Sequence, residues 1–294
     1  MGTFSQLLQY ILTGLTVGSI YAITALGFNI IYSSTDIINF AQGEFAMLGA
    51  LIMIFFSNVL HLPLPLAFLL SVISVTLIGA VFERAAIHPL KDASTITLII
   101  ITIGVSILLK GAAMFLWGKD SFALPPFSGD KPIRVMGATI LPQALWVLGI
   151  TIAVVFLLAF FFEKTILGKS LRACADNRIA ARLLGIEVSK MVLFSFSISA
   201  ALGAVAGMII APISLMEYDR GTMLGLKGFS AAVFGGLGSF GGAIVAGFAL
   251  GIIESLGAGF ISSGFKDAIA LLVLLAVLFL RPAGIFGTPK DEKV

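Results

Sequence analysis

The sequence predicts an all-α protein, a polytopic transmembrane bundle of about eight membrane segments with one broken or re-entrant Gly-rich stretch and inverted repeats. Three observations predict it. Of 294 residues, 59% are hydrophobic and only 11% charged, with a mean hydropathy of +1.11, against about 25% charged in soluble domains. A soluble monomer of this composition would expose apolar surface over most of its area. The apolar residues fall into runs long enough to cross hydrocarbon, which takes about 20 residues per helix. Finally, Lys and Arg are concentrated in particular connections.

In chain order, the spans are expected near 7–28, 42–60, 64–82, 95–117, 142–162, 188–212 and 266–281. The first follows MGTFSQLLQYIL, which has no Lys or Arg ahead of its apolar run and is expected to stay as a span. The second opens in a polar cluster, Asn39, Gln42 and Glu44. The third follows HLPLP, whose His61 is expected to be a solvated loop residue, as is His88 in ERAAIHPLK (83–91). The stretch 226–257 is interrupted by glycines. It reads as a broken helix or re-entrant hairpin, its non-helical backbone tolerated where protein buries it.

Orientation follows from the basic residues. The connection 163–190 carries six, Lys164, Lys169, Arg172, Arg178, Arg182 and Lys190, and is expected to be cytoplasmic. The loop 83–91 then shares that side, whereas 120–134 and the N-terminus lie outside. Basic residues in RPAGIFGTPKDEKV place the C-terminus inside, provided 226–257 starts and ends on the outer side by descending to mid-membrane and returning.

GGLGSFGG (235–242) contains a literal G-x-G-x-x-G. That spacing implies dinucleotide binding only after a strand, and none precedes it. There is also no G-x-x-x-x-G-K-[ST]. The glycines read instead as close-packing positions, like the G-x-x-x-G pairs Gly14/Gly18, Gly203/Gly207 and Gly247/Gly251. QGEFAMLGA (42–50) and KGFSAAVFGG (227–236) resemble each other and enter the membrane from opposite sides, as inverted repeats do.

Ionisable residues in hydrocarbon are functional candidates. Glu44 stands out, while Lys227 and Glu254 read as solvated helix ends. Catalysis is unsupported: there is no H-E-x-x-H, neither histidine has a metal-spaced partner, and Ser197 and Ser199 have no adjacent base. Cys174 is the single cysteine, which excludes an internal disulfide and a thiolate cluster. No metal, cofactor or nucleic-acid partner is expected.

The loop GKSLRACADNRIAARLLGIEVSK (168–190) is rich in Ala, Leu and Arg, favouring helix. Leu171, Ala175, Ile179 and Leu183 fall on one face at four-residue spacing. It reads as a short amphipathic helix that lies on anionic lipid or docks a soluble partner.

With this loop, GLTVGSIYAITALGFNIIYSSTDIINFAQGEF (14–45), GFSAAVFGGLGSFGGAIVAG (228–247) and RPAGIFG (281–287), the chain resembles permease subunits of ATP-binding-cassette importers for branched-chain amino acids. The resemblance implies one transmembrane permease domain, 1–294, in the bacterial inner membrane, with a cytoplasmic coupling loop 163–190 inside it. It implies that Gly168, Lys169, Leu171, Arg172, Asp176, Asn177, Ala181 and Gly185 serve ATPase coupling. Expected partners are a second, homologous permease, two cytoplasmic ATPase subunits, a periplasmic substrate-binding protein, the amino-acid substrate and membrane lipid. Asn39, Gln42, Gly43, Glu44, Ser230, Gly235 and Gly236 are the pathway candidates. The chain is expected to be a transport subunit, not an enzyme. Rival readings are a permease for urea or short amides, and an ATP-independent secondary transporter or channel using Glu44.

Overall fold

The computed structural model describes residues 3–90, 93–135 and 137–287. Lys91, Lys290 and Lys293, which entered the charge count, lie outside the described residues.

The apolar runs form helices whose ends are set by local chemistry. α1 (Thr3–Thr35) and α2 (Gln42–Ile54) are followed by α3 (Leu64–Phe82), with Pro65 in its first turn, and α4 (Thr95–Trp117). Ser94 caps α4 by accepting from the Thr97 N–H, and Gly118, at φ 79°, stops it. A hairpin of β1 (Ile133–Val135) and β2 (Ala138–Ile140) leads to α5 (Pro142–Lys164), which starts on proline, a residue suited to a helix's first turn. Next come α6 (Ile166–Asp176), α7 (Arg178–Leu183), α8 (Val188–Ile210), α9 (Arg220–Gly235), α10 (Phe240–Phe260) and α11 (Lys266–Leu280). Among the described residues, eight helical segments are long and apolar enough to cross a membrane. The bundle is the predicted fold class.

Several boundaries differ from expectation. α1 is longer than 7–28. The chain expected to loop at 83–91 continues α3 through a π turn, Glu83–Ile87, and a 3-10 turn, His88–Leu90, because nothing from Glu83 to His88 breaks a helix. The Gly-rich stretch is broken at 236–239, with Gly236 at φ 99° and Gly238 at φ 87°. Its first piece begins earlier, at Arg220, and the break does not lie at mid-depth: Ile285 and Phe286 donate backbone N–H groups to Phe234 and Gly235, so the turn sits beside the segment that follows α11.

Contacts fix the two faces. Gln9 near the start of α1 exchanges hydrogen bonds with Thr139 at 2.8 and 3.0 Å, so the hairpin shares what we call the upper face. Arg178 and Asp36 pair at 3.0 Å, placing α6 and α7 with the end of α1 on the lower face. The connections 118–141 and 163–190 therefore lie on opposite faces, and 281–287 shares the lower one.

α1, α2 and α8 form the buried centre; α3, α4, α5 and α11 surround them with outward apolar side chains such as Ile107, Phe115, Phe156 and Phe279, the surface lipid requires. The glycine pairs act within the chain. A methyl group at Gly14 would fall 2.7 Å from Ile252 Cα, and one at Gly18 2.8 Å from Phe248 Cα, so α1 and α10 touch backbone to backbone. Gly203 and Gly207 likewise admit Phe45 and Ala46 of α2 against α8.

Candidate functional site

The chain leaves α1 through Asp36, at φ 55°, and does not start α2 at the lower face. Residues 37–41 are non-helical and climb back into the bundle. Such backbone needs partners in a membrane. The Phe40 N–H donates to the Thr102 hydroxyl at 3.1 Å, and the Ala41 N–H to Asn39 Oδ1 at 3.1 Å. Gln42 then anchors the helix start. Its Nε2 donates to the Ser199 carbonyl at 3.0 Å, and the Ser199 hydroxyl lies 2.5 Å from its Oε1. Ser199 is at the middle of α8, so α2 begins at half depth.

α9 begins at the same depth from the other side. The chain turns back after α8 and Arg220 opens the helix, donating to the Ser214 hydroxyl at 3.2 Å. The first turns of α2 and α9 meet: Gly43 abuts the Gly221 carbonyl, and a methyl group there would fall 2.7 Å from Gly225 Cα. α2 runs from this point to the upper face, where Asn58 donates to the Ala123 carbonyl. α9 runs to the lower one. The inverted pair is thus 42 onward against 220 onward; the alignment with 227–236 is shifted by about two helical turns, because it matched the second polar-Gly pair, Lys227-Gly228, instead of Arg220-Gly221.

Glu44 sits at the meeting point and is 1% exposed. Its Oε1 accepts from the Ser106 hydroxyl at 3.1 Å and the Thr222 hydroxyl at 3.3 Å. Its Oε2 has no hydrogen-bond partner among the described residues. Ser106 is the middle residue of α4. Lys110, one turn further, attracts the carboxylate electrostatically. The positive ends of two helix dipoles also converge here. The result is a half-depth cluster of a carboxyl group and two hydroxyls, with the charge of Lys110 acting on it from the next turn of α4.

The remaining pathway candidates lie elsewhere. The Ser230 hydroxyl bonds back to the Leu226 carbonyl at 2.8 Å. Gly235 packs on the backbone of Gly242, and Gly236 on Ala283 and Gly287. Ser230 thus stays within α9, Gly235 and Gly236 shape the α9–α10 turn, and none of the three joins Glu44. Sequence reading missed Ser106, Lys110 and Thr222. Lys110 was findable, as the single charge in a 23-residue apolar helix.

Lys227 and Glu254 are not solvated helix ends. Lys227 is 7% exposed and Glu254 0%, and they pair at 2.9 Å. Asp267 accepts from Lys227 at 2.6 Å, Lys266 lies 3.4 Å from Glu254, and Tyr21 donates to Glu254 Oε2 at 2.7 Å. The network ties α9 to α1, α10 and α11.

The lower-face segment is two helices, not one. Thr165 caps α6 through the Gly168 N–H at 3.0 Å. Asn177 ends α6 and caps α7, its Oδ1 accepting from the Ile179 and Ala180 N–H groups at 2.9 and 3.0 Å. The expected stripe is therefore split. Gly168, Leu171, Cys174 and Ala181 are buried against the bundle, whereas Ile179 and Leu183 are 73% and 85% exposed. Lys169, Arg172 and Asp176 are exposed on α6, and Gly185, at φ 82°, turns the chain into α8. Burial pushes the Cys174 thiol above its ordinary pKa, although Arg178 and Arg182 pull it down. His88 is likewise no isolated loop residue: its Nδ1 lies 3.1 Å from the Ser189 hydroxyl and 3.7 Å from Glu83.

A family profile described as "Branched-chain amino acid transport system / permease component" matches residues 10–280. The chain is 35% identical to the high-affinity branched-chain amino acid transport system permease protein BraD of Pseudomonas aeruginosa, over 98% of both chains. It is 32% identical to LivH of Escherichia coli K12, a protein of the same description, over 99% of both. A probable LivH of Methanocaldococcus jannaschii is 30% identical over 95% of this chain and 92% of that one. Among solved structures, PsaBC from Streptococcus pneumoniae in complex with Fab aligns with a TM-score of 0.46 at 14% identity, covering 95% of this chain and 92% of that chain. With a matched region that runs through the two opposed half-depth helices and the lower-face segment, the chain belongs to the branched-chain amino acid transport system permease family.

Proposed function

We propose that this chain is the membrane permease subunit of an ATP-binding-cassette importer that carries branched-chain or similar small amino acids across the bacterial inner membrane. The observation that carries the proposal is the meeting of α2 and α9 at half depth around Glu44 and Lys110. Opposed helix starts are how transporter folds build a solute site without a continuous pore. A zwitterion presents an ammonium to Glu44 and a carboxylate to Lys110.

The lower face is cytoplasmic on this reading, so the N-terminus lies outside and 281–287 inside, with 163–190 meeting an ATPase. α6 is held to the bundle by Gly168 and Leu171, and α7 offers Ile179 and Leu183 outward. The chain supplies one half of the permease; a second, homologous subunit supplies the other, and a periplasmic binding protein delivers substrate. ATP-driven closure of two ATPase subunits shifts the permease between outward and inward access, to the extent that the ATPases bind the two states differently.

The test is to solubilise a tagged chain in mild detergent from its native membrane, identify what co-purifies, and reconstitute the recovered particle with radiolabelled leucine. Two ATPase chains, a second permease and ATP-dependent uptake are expected. Recovery of the chain alone, with ATP-independent uptake, would overturn the proposal in favour of a secondary carrier.

A further inference from the structure

A cavity of about 610 Å³ opens at the lower face between the end of α3, the start of α4, α7 and the start of α8. It is separate from the Glu44 site. Its volume lies within the usual range for small-molecule sites, about 300–1,000 Å³.

Its polar groups come in opposite signs on different elements. Glu83, at the end of α3, forms part of the wall and is 1% exposed. One carboxylate oxygen lies 3.7 Å from His88 Nδ1, and the other is buried with no partner among the described residues. A carboxylate left in that state is costly unless something joins it. From α7 come Arg178, which pairs with Asp36, and Arg182, which makes no ion pair among the described residues. Ile37, Leu98 and Val192 give the cavity an apolar side.

We infer that this cavity binds a free α-amino acid from the lower face, its ammonium on Glu83, its carboxylate on Arg182 with help from Arg178, and its aliphatic side chain against Ile37, Leu98 and Val192. A simple anion is repelled by Glu83, and a simple cation by Arg182, while Arg178 and Glu187 of the lining are each paired, with Asp36 and Lys190. A zwitterion meets both. Since α7 belongs to the segment proposed above to meet the ATPase, an occupied cavity ties that segment to α3, so accumulated product slows further import. This consequence rests on the permease reading, whereas the binding site itself does not.

The test uses the full chain in lipid nanodiscs and tritiated L-leucine as the probe. Saturable binding is expected, weakened about tenfold or more by Glu83→Gln and by Arg182→Gln. L-leucinamide, which lacks the carboxylate, and 4-methylpentanoate, which lacks the ammonium, are expected to compete poorly. Arg182 is exposed, so its variant decides if Glu83→Gln does not accumulate. Absence of saturable binding, or binding lost in Glu44→Gln but kept in Glu83→Gln and Arg182→Gln, overturns the inference. In proteoliposomes of the whole importer, leucine on the cytoplasmic side should slow uptake by the wild type and slow it less in Arg182→Gln. Equal inhibition of both overturns the regulatory consequence; a wild type that shows no ATP-driven uptake at all counts against the permease reading, leaving the binding result to stand by itself.

Discussion

Gly43, in the first turn of α2, lies against the carbonyl of Gly221 in the first turn of α9, and Gly225 closes the contact from the next turn. No side chain fits between them, so the two half-depth helix starts are held at backbone distance. Gly43→Val should cost about 1–3 kcal/mol through overpacking and abolish uptake by pushing α9 away from Glu44. Thermal unfolding in detergent and leucine uptake read the two effects. Gly104→Ala is the control: nothing lies within 4 Å of that site, so its stability and uptake should match the wild type.

Glu44 and Lys110 should matter to transport more than to folding. Glu44→Gln preserves shape and the bonds from Ser106 and Thr222, removing only charge. Uptake should fall about tenfold or more, equivalent to about 1.4 kcal/mol in the barrier, while membrane levels stay constant. Lys110→Met should reduce uptake as well. Wild-type rates in both variants would remove the half-depth site from the pathway.

How much of this was legible in the sequence depended on what carries the information. The spans were legible because an apolar run in lipid has only helix open to it. The packing glycines were legible because G-x-x-x-G spacing permits close contact along any helix pair, and α1 and α10 use it. The start of α9 was not. Arg220 is charged, lies at half depth, and looks in sequence like part of the polar loop EYDRG, so the first polar-Gly pair was passed over for Lys227-Gly228. Lys227 and Glu254 looked like solvated ends because their partners Tyr21 and Asp267 are far away in sequence. The break at Asn177 is a local cap, and reading Leu171 to Leu183 as one stripe overlooked it although Asn is a preferred capping residue.

The Lys227–Glu254 pair is a buried ion pair, so its loss should exceed its net worth. Lys227→Met leaves Glu254 with Lys266 at 3.4 Å and Tyr21 at 2.7 Å, and should destabilise the chain by about 3–5 kcal/mol. Adding Glu254→Leu removes the stranded charge and should recover much of that loss. A double variant that melts lower than the single one would show that the Tyr21 and Lys266 contacts, not the stranded charge, set the cost.

Exposed apolar side chains on α7 give the proposed ATPase contact a direct test. Leu183→Asp and Ile179→Ser lie on the outward face, so the chain should insert and fold as usual. ATPase recovery in co-purification should drop, and uptake with it. Asn177→Leu should act differently, fraying α7 by about 1 kcal/mol through the lost cap and uncoupling ATP hydrolysis from uptake. Full recovery of ATPase with Leu183→Asp would move the docking surface off α7.

Cys174 offers a reporter for whether α6 stays on the bundle. It is buried, its thiol is held above its usual pKa by that burial, and thiolate is the reactive form, so N-ethylmaleimide should label the wild type slowly at neutral pH and faster as pH rises. Gly168 lets α6 touch the end of α5, where an added methyl group would fall 2.6 Å from Phe162 Cα. Gly168→Leu should lift α6, bring Cys174 into water and lower its pKa, since Arg178 and Arg182 would still attract the thiolate once desolvation is relieved. Labelling at neutral pH should then accelerate while α1 to α5 remain folded. Because Cys174 is the single cysteine, the label reports on this segment alone, and an unchanged rate in Gly168→Leu would mean that the α5–α6 contact is not what seats it.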